Sequence, residues 1–298
     1  MQTPAGYHIV GQGMTARAEI TDFWAMVFNP SSMERLAHTV IAAWITGAFF
    51  VLSVSAYYLL KKRHVEFAKV SMKAALAVAL CATIGQLITG RIAAEVVSKY
   101  QPTKLAAMEG HYPASGPGDE YLWGYVNEKG QEVKYGVKIP GLLSFLIHGD
   151  SAKPVQGLKA FKKEDLPPVN IVFQTYHMMV AIGIFLILLS IVCVIYLWRG
   201  KLFETPWLLA ILVPSVVLPQ LANQLGWMTA EVGRQPWIVY GLLRTSEGLS
   251  KAVRANDVLI SLIMFTVIYL LLFVLYIYLF DSKIKHGPEG IEHDHHRA

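Results

Sequence analysis

The sequence has few cysteines, few charges and no basic stretch ahead of a short apolar run. Its two cysteines, Cys81 and Cys193, both lie inside apolar segments, so they predict core residues rather than a disulfide framework or a metal site. Charged residues make up 16% of the chain and hydrophobic residues 54%, which excludes an ordinary soluble domain of this size. Without a basic N-terminal stretch, we expect no cleavable signal peptide.

What the chain has instead is long apolar segments, and its mean hydropathy is +0.42. Five of these segments are each long enough to cross a hydrocarbon core of about 30 Å. They must be helical, because lipid offers the backbone no hydrogen-bond partners. We therefore predict an all-α integral membrane protein with five transmembrane helices, at residues 38–60, 70–90, 171–198, 207–226 and 258–280.

Basic residues cluster in the two short loops and after the last span. If the spans alternate in direction, all three clusters fall on one side, and the positive-inside rule makes that side cytoplasmic. We therefore predict an external N-terminus and a cytoplasmic C-terminus, and attribute the net charge of +5 to membrane anchoring rather than to a nucleic-acid partner. The clusters are Lys61, Lys62, Arg63 and Lys69; Arg199 and Lys201; and Lys283 and Lys285.

The chain is expected to have five parts. They are an external N-terminal segment (1–36), spans one and two (37–90), a long external loop (91–170), spans three to five (171–280) and a cytoplasmic tail (281–298).

Two segments outside the spans have local patterns of their own. Within the long loop, two runs rich in apolar and aromatic residues flank residues 127–130 and predict a hairpin. Residues 20–28 predict a short amphipathic piece on the membrane surface.

The tail contains a short run of acidic residues and histidines. Such a run could bind a metal weakly, but we favour a solvated tail. The run consists of Glu292, His293, Asp294, His295 and His296.

Ionisable side chains also follow the fourth span, where Trp227, Glu231 and Arg234 occur close together. Groups at membrane depth are costly unless they are paired or functional. The simpler interpretation is an interfacial cap, with the Trp at the headgroup level and the Arg reaching the phosphates. Spacing alone favours that cap.

Potential metal ligands lie near the external ends of other spans. His38 opens the first span, and His177, Met178 and Met179 lie about nine residues into the third, which is ~13 Å below its start. Spacing does not choose among those three, and each residue taken singly is more simply explained by packing or hydrogen bonding.

Four segments together resemble subunit I of the cytochrome bd quinol oxidases. The last of them has the pattern GW-x-x-AE-x-GRQPW, and a match of this length is improbable by chance. The segments are ERLAHTV at 34–40, QPTKLAAME at 101–109, MVAIG at 179–183 and GWMTAEVGRQPW at 226–237.

The resemblance implies two b-type haems. His38 and Met179 match the axial ligands of the low-spin haem b iron, a ligand pair that raises the haem potential. Glu231 matches the ligand of the high-spin haem b iron, a haem that a partner chain could share. Trp227 matches an aromatic residue between the two haems, and Arg234 a residue near the propionates.

The resemblance also implies a quinol-binding function for the external loop. Lys104 and Glu109 match residues implicated in quinol oxidation, where a cation can orient the headgroup and a carboxylate can accept a proton. From the sequence alone, a solvated loop helix is the simpler interpretation of this segment. The loop length resembles the short-loop type of the family.

The chain departs from the family pattern at two positions and in its extent. His177 stands where the family often has Arg, and Gln224 where some members have Glu. The match covers only the second half of a subunit I, and the chain opens on a segment that resembles the loop after the fourth span. We therefore expect a separate four-helix chain that carries haem d or its equivalent, and also a second large membrane subunit.

The resulting hypothesis is a haem-binding electron-transfer subunit of a bd-type quinol oxidase in a prokaryotic cytoplasmic membrane. It is not expected to be active alone. Two alternatives stay open: a bd-like protein that passes electrons from quinol to another acceptor, and a non-redox transporter or channel subunit. Inverted repeats would favour the latter, and the five unequal spans do not suggest them.

Overall fold

The computed structural model describes residues 3–11, 16–250 and 252–288 of the chain. The histidine-containing run at 292–296 lies outside the described residues. Five helices in the described part are long and apolar enough to cross a membrane, as predicted. They are α2 (Ser32–Leu60), α3 (Val65–Tyr100), α6 (Val169–Trp198), the broken helix α7 (Pro206–Leu212) and α8 (Val217–Val232), and α9 (Ala255–His286).

Shorter helices and strands lie at one end of the spans. The predicted hairpin is confirmed, with Val126 opposite Val133 in its antiparallel register. The elements are β1 (Tyr7–Val10), β2 (Arg17–Ile20), α1 (Phe23–Val27), α4 (Pro102–Met108), β3 (Glu120–Asn127), β4 (Glu132–Ile139), α5 (Leu142–His148), β5 (Trp237–Val239) and β6 (Leu243–Arg244). We call the end that carries β3 and β4 the hairpin side, and the end with the basic loops the basic side.

Two helices are longer than the apolar segments suggested. Helix α2 begins at Ser32, so His38 lies more than one turn inside it instead of opening it. Helix α3 continues past residue 90, where Arg91 and Glu95 pair one turn apart at 3.2 Å. It ends before Pro102, which disfavours helical geometry at Gln101, whose φ is −142°. Polar residues thus continue helices that begin as membrane spans.

The amphipathic piece predicted at residues 20–28 is divided between two elements. Ile20 ends β2, and α1 begins only at Phe23. The Asp22 side chain caps α1 by accepting a hydrogen bond from Ala25 N at 2.9 Å. The stretch divides because this cap starts a helix after strand β2 has ended.

The spans form a bundle in which α2 and α6 occupy opposite corners. Helix α3 packs between α2 and α6 on one side, and the broken helix α7–α8 packs between them on the other. Pro214 breaks that fourth span at a 3-10 turn, where the Ser53 hydroxyl donates to the carbonyl of Val213. A group coordinated by both α2 and α6 would therefore lie across the bundle interior.

Helix α9 stands largely apart from this bundle, and its most apolar window is 0% buried. Its contacts lie at the basic side, where the Tyr58 hydroxyl donates to Ile284 O at 2.8 Å. Arg63 donates to Lys285 O at 2.9 Å, and the rings of Phe50 and Phe280 are 5.3 Å apart. Most of α9 is thus left to lipid or to another chain.

The interior of the bundle contains two apolar clusters. One lies at the basic side and includes Phe49, Leu52, Met72 and Leu208. The other lies at the hairpin side and includes Leu105, Leu158 and Phe173. In the described chain, each of four helices also has a stretch next to its part in these clusters that contains no buried residue. The stretches are 32–44 of α2, 84–96 of α3, 176–185 of α6 and 220–228 of α8. We call these stretches together the open layer.

Candidate functional site

His38 lies in the open layer and is held by two polar side chains of α3. Its Nδ1 is 3.0 Å from Thr89 Oγ1, and its Nε2 is 2.9 Å from Gln86 Nε2. The Thr89 hydroxyl donates its own proton to Gly85 O, so it accepts from His38, and Nδ1 carries the ring proton. In that tautomer the Nε2 lone pair accepts from the Gln86 amide, so an iron bound at Nε2 would replace this amide while the hydrogen bond from Nδ1 fixes the ring.

Met179 lies in the open layer on α6, the corner opposite α2. A Cβ added at Gly226 of α8 would lie 2.8 Å from the Met179 sulfur, so α8 approaches this flexible side chain closely. At Gly183, one turn further along α6, a Cβ would meet no atom within 4 Å. The space beside Met179 on α6 is therefore not closed by described residues.

These features fit a large, flat cofactor with two axial ligands. One predicted ligand comes from each of two opposite corners of the bundle, a histidine whose Nε2 accepts from the Gln86 amide and a thioether. The four interior stretches around them are not closed by buried side chains. His/Met ligation is a known way of holding haem iron. The donor set and the open layer thus fit the haem that the resemblance implies.

A charged cluster lies at the hairpin-side end of α8. Arg234 donates to Oε2 of Glu231 through Nε at 2.9 Å and through Nη2 at 2.7 Å, and its Nη1 donates to Trp237 O. Both side-chain bonds go to the same oxygen of Glu231. Lys104 donates to Ala230 O at 3.3 Å. Three of the predicted site residues, Lys104, Glu231 and Arg234, therefore lie together.

Lys104 is buried, with 5% of its surface exposed. Burial lowers the pKa of its ammonium group to about 7, and the charge of Arg35 lowers it further, against the opposing charges of Glu231 and Glu34. A Cβ at Gly233 would lie 3.2 Å from two carbons of the Lys104 side chain, so α4 packs closely on the end of α8. The lysine is thus poised to lose its charge near neutral pH.

The sequence analysis missed Glu34 and Arg35 as members of this cluster. They lie 3.7 Å apart, one turn or less before His38 on α2. Their signal was present, since both belong to the segment that includes His38. What the sequence did not supply was the packing of α2 near Lys104, on which their electrostatic influence depends.

Trp227 lies apart from these groups. Its side chain is 64% exposed on the surface of α8. The proposed position between two haems therefore lies on a face of α8 that the described chain does not cover.

Glu109 faces away from Lys104, although both belong to the α4 region. It is 2% exposed and ends α4. One oxygen of Glu109, one of Glu120 on β3 and one ring nitrogen of His177 on α6 all lie within 4.8 Å of one another. The predicted quinol residues thus form two separate groups, one at α8 and one between α6 and β3.

The side chains of Glu109, Glu120 and His177 are better suited to holding a proton than a metal ion. Both ring nitrogens of His177 are already within hydrogen-bond distance of backbone carbonyl oxygens. Nε2 is 2.6 Å from Tyr121 O, and Nδ1 is 2.9 Å from Phe173 O. Burial, and then the negative charge of Glu120, raises the pKa of the Glu109 carboxyl well above its usual range. The sequence analysis missed Glu120, because nothing local in the sequence brings it to Glu109.

Comparison with known proteins gives a consistent family. The family model described as cytochrome bd terminal oxidase subunit I matches residues 1–288. The chain is 37% identical over 306 residues to "Cytochrome bd ubiquinol oxidase subunit 1" of Bacillus subtilis, covering 99% of this chain and 64% of that protein. It is 30% identical over 361 residues to "Cytochrome bd-II ubiquinol oxidase subunit 1" of Escherichia coli, covering 98% and 69%.

The fold agrees with a solved structure from the same group. The chain matches the bd oxidase of Geobacillus thermodenitrificans with a TM-score of 0.85 and 28% identity, over 96% of this chain and 65% of that one. The chain spans 64% of the Bacillus subtilis relative's length, so just over a third of that subunit has no counterpart in it.

Proposed function

Because the chain belongs to the cytochrome bd terminal oxidase subunit I family, we propose that it is the haem-binding electron-transfer subunit of a bd-type quinol oxidase. It takes electrons from membrane quinol and passes them through b haems towards an oxygen-reducing haem in a partner chain. The observation that carries the proposal is the open layer, with His38 and Met179 on opposite corners of the bundle.

In this proposal His38 and Met179 are the axial ligands of the low-spin haem b, and Glu231 ligates the high-spin haem b. A bound b-type haem supplies a one-electron acceptor. The hydrogen bond to Thr89 fixes the His38 ring, and the iron would replace the Gln86 amide at Nε2. Arg234 binds one oxygen of Glu231, which fixes the carboxylate and offsets its charge.

Quinol binds at the hairpin side, beside α4. Lys104 orients the quinol headgroup, and Glu109 takes part in the removal of its proton. The two residues lie at opposite faces of the α4 region, Lys104 towards α8 and Glu109 towards α6 and β3.

The membrane orientation is also part of the proposal. The basic loops are assigned to the cytoplasm, so the hairpin side is external and quinol is oxidised at the outer face. Arg63 and Lys285 meet at one end of the bundle, in keeping with the common location of two of the basic clusters.

A separate chain equivalent to the missing four helices is proposed to complete the site and to carry haem d or its equivalent, together with a second large membrane subunit. The exposed face of α8 around Trp227 and the unburied length of α9 are surfaces such chains could cover. An alternative within the same family is transfer of the electrons to an acceptor other than oxygen. Family membership removes the main support for a transporter or channel.

Purification of this chain alone in mild detergent tests the proposal. We expect a reduced-minus-oxidised spectrum with a low-spin haem b signal and no oxygen reduction, with quinol oxidase activity only when the partner chains are present. A preparation without any haem signal would contradict the electron-transfer function. A monomer that carries every haem and reduces oxygen unaided would contradict the partner.

A further inference from the structure

Glu109 and Glu120 form a carboxyl pair in the external loop region, where the end of α4, strand β3 and helix α6 meet. A carboxyl oxygen of each lies within 4.8 Å of the other. Two negative charges this close at a buried site repel strongly, so the pair is most stable when one of the two carboxyl groups holds a proton.

The deeper member of the pair is the one that holds the proton. Glu109 is 2% exposed, whereas Glu120 lies at intermediate depth on β3. Burial raises the pKa of both carboxyl groups, and the negative charge of Glu120 raises that of Glu109 further. Because the deeper Glu109 loses more solvation on ionising than the partly exposed Glu120, Glu109 is the acid and Glu120 the carboxylate.

One oxygen of Glu109 remains for a further contact. Its Oε2 is buried and has no hydrogen-bond partner among the described residues. Tyr176 of α6 lies close enough to the Glu109 carboxyl to interact with it electrostatically. Because a neutral carboxylic acid has no charge with which to attract a proton, Glu109 is a weak base in this state.

We propose that Glu120 is the base that receives the quinol proton, and that Glu109 is the relay that passes it on. This inference rests on the proposed quinol oxidation. The quinol O–H bond breaks and an O–H bond forms at Oε2 of Glu109. In the same transfer the existing O–H of Glu109 breaks and a new O–H forms on Glu120. The electron that leaves the quinol goes to the b-type haem of the proposed function.

Glu120 is the member of the pair nearer the surface. It begins β3 and is partly exposed, and its neighbour Asp119 is paired with Lys138 of β4 at 2.8 Å. Among the described residues, Tyr176 and His177 of α6 also lie beside the pair, and both ring nitrogens of His177 are within hydrogen-bond distance of backbone carbonyls. A proton received by Glu120 is therefore closer to the surface than one held by Glu109.

The Glu120→Gln substitution in the assembled complex tests the relay. Quinol oxidation is expected to fall about 100-fold in kcat, because the terminal base is lost, with little change in the quinol KM. Haem content and haem reduction by an artificial donor should stay normal. Glu120→Asp keeps a carboxylate and should recover part of the rate. The matched control Glu132→Gln removes an exposed carboxylate of the same hairpin and should change none of these quantities.

Infrared spectroscopy provides a readout independent of turnover. The carbonyl band of a buried protonated carboxylic acid should be present in the wild type, kept in Glu120→Gln and lost in Glu109→Gln. Loss of this band in Glu120→Gln alone would overturn the assignment of the proton. Normal quinol turnover in Glu120→Gln, together with slow turnover in Glu109→Gln, would overturn the relay and leave the proposed function intact. A wild type without quinol oxidation would instead contradict the proposed function.

Discussion

The basic side of the bundle is filled by aliphatic and aromatic side chains, whereas the hairpin side buries ionisable ones. At the basic side, Phe49, Leu52 and Leu208 are at most 1% exposed and belong to one apolar cluster. At the hairpin side, Lys104 and Glu109 are 5% and 2% exposed. Burial of such groups costs free energy that an apolar core does not incur. We infer that packing at the basic side stabilises the fold and that the hairpin side performs the chemistry.

The open layer lies next to the apolar cluster of the basic side in all four helices that line it. Its residues belong to the same helices as the apolar cluster, so the position of a bound cofactor is fixed by rigid elements. Its polar residues, among them His38, Gln86 and Thr89, are joined by hydrogen bonds. In the proposed function, cofactor positioning is thus separated from proton transfer, which is proposed for the loop region.

The largest expected effect would come from removing an axial ligand. We expect His38→Ala and Met179→Leu each to abolish the low-spin haem b signal, because each removes one of the two residues proposed to hold this haem. The protein should still insert, since the apolar cluster at the basic side is untouched. Spectra of purified membranes, with an immunoblot for the amount of chain, measure both quantities. A normal low-spin spectrum in both variants would exclude this pair as ligands.

The next effect tests the basic side. Leu52→Ala leaves a cavity in the apolar cluster, where Leu52 is 1% exposed, and should lower the free energy of unfolding by about 2–5 kcal/mol. Thermal unfolding in detergent measures this loss. The haem spectrum of the folded fraction should be unchanged. Val70→Ala, at a position that is 68% exposed on α3, is the control and should shift stability by less than about 0.5 kcal/mol. A changed haem spectrum in Leu52→Ala would contradict the inference that the basic side stabilises the fold while the hairpin side performs the chemistry.

The sequence predicted the spans and the hairpin because both have local signals. Hydropathy over twenty or so residues identifies a span, and residues 127–130 have the composition of a turn. The continuation of α3 to Tyr100 was missed because Arg91 and Glu95 end the apolar pattern without ending the helix. Hydropathy indicates which residues lie in the membrane, whereas the residue at which a helix ends depends also on ion pairs and on Pro102.

Site prediction from the sequence had a similar limit. The family motifs identified His38, Met179 and Glu231 as candidate ligands, and these stay predictions. The Glu109–Glu120 pair was not predicted, because it depends on how β3 packs on α6. The proximity of Lys104 to the end of α8 likewise follows from tertiary packing. Motifs supply the residue types, and packing decides which of them interact.

The smallest expected effect concerns the charge of Lys104. It tests whether burial of this ammonium group at the hairpin side costs free energy of folding. Its pKa is lowered from 10.5 to about 7, mainly by burial, so the folded protein loses this proton above about pH 7 while the unfolded chain keeps it up to about pH 10.5. Between these two values the unfolded state binds more protons, and stability must therefore rise with pH.

From pH 6 to pH 8 the gain in the free energy of unfolding should be about 1.4 kcal/mol. Lys104→Met removes the titrating group and keeps an unbranched side chain, so the variant should lack this gain and be more stable than the wild type at pH 6. Lys129→Met, at an exposed position in the hairpin turn, should keep the pH dependence of the wild type. Thermal unfolding of the three proteins at both pH values measures the difference. Parallel pH profiles for the wild type and Lys104→Met would show that Lys104 keeps its proton when buried, stabilised by Glu34 and Glu231, and that the hairpin side buries an ion pair network instead of a neutral amine.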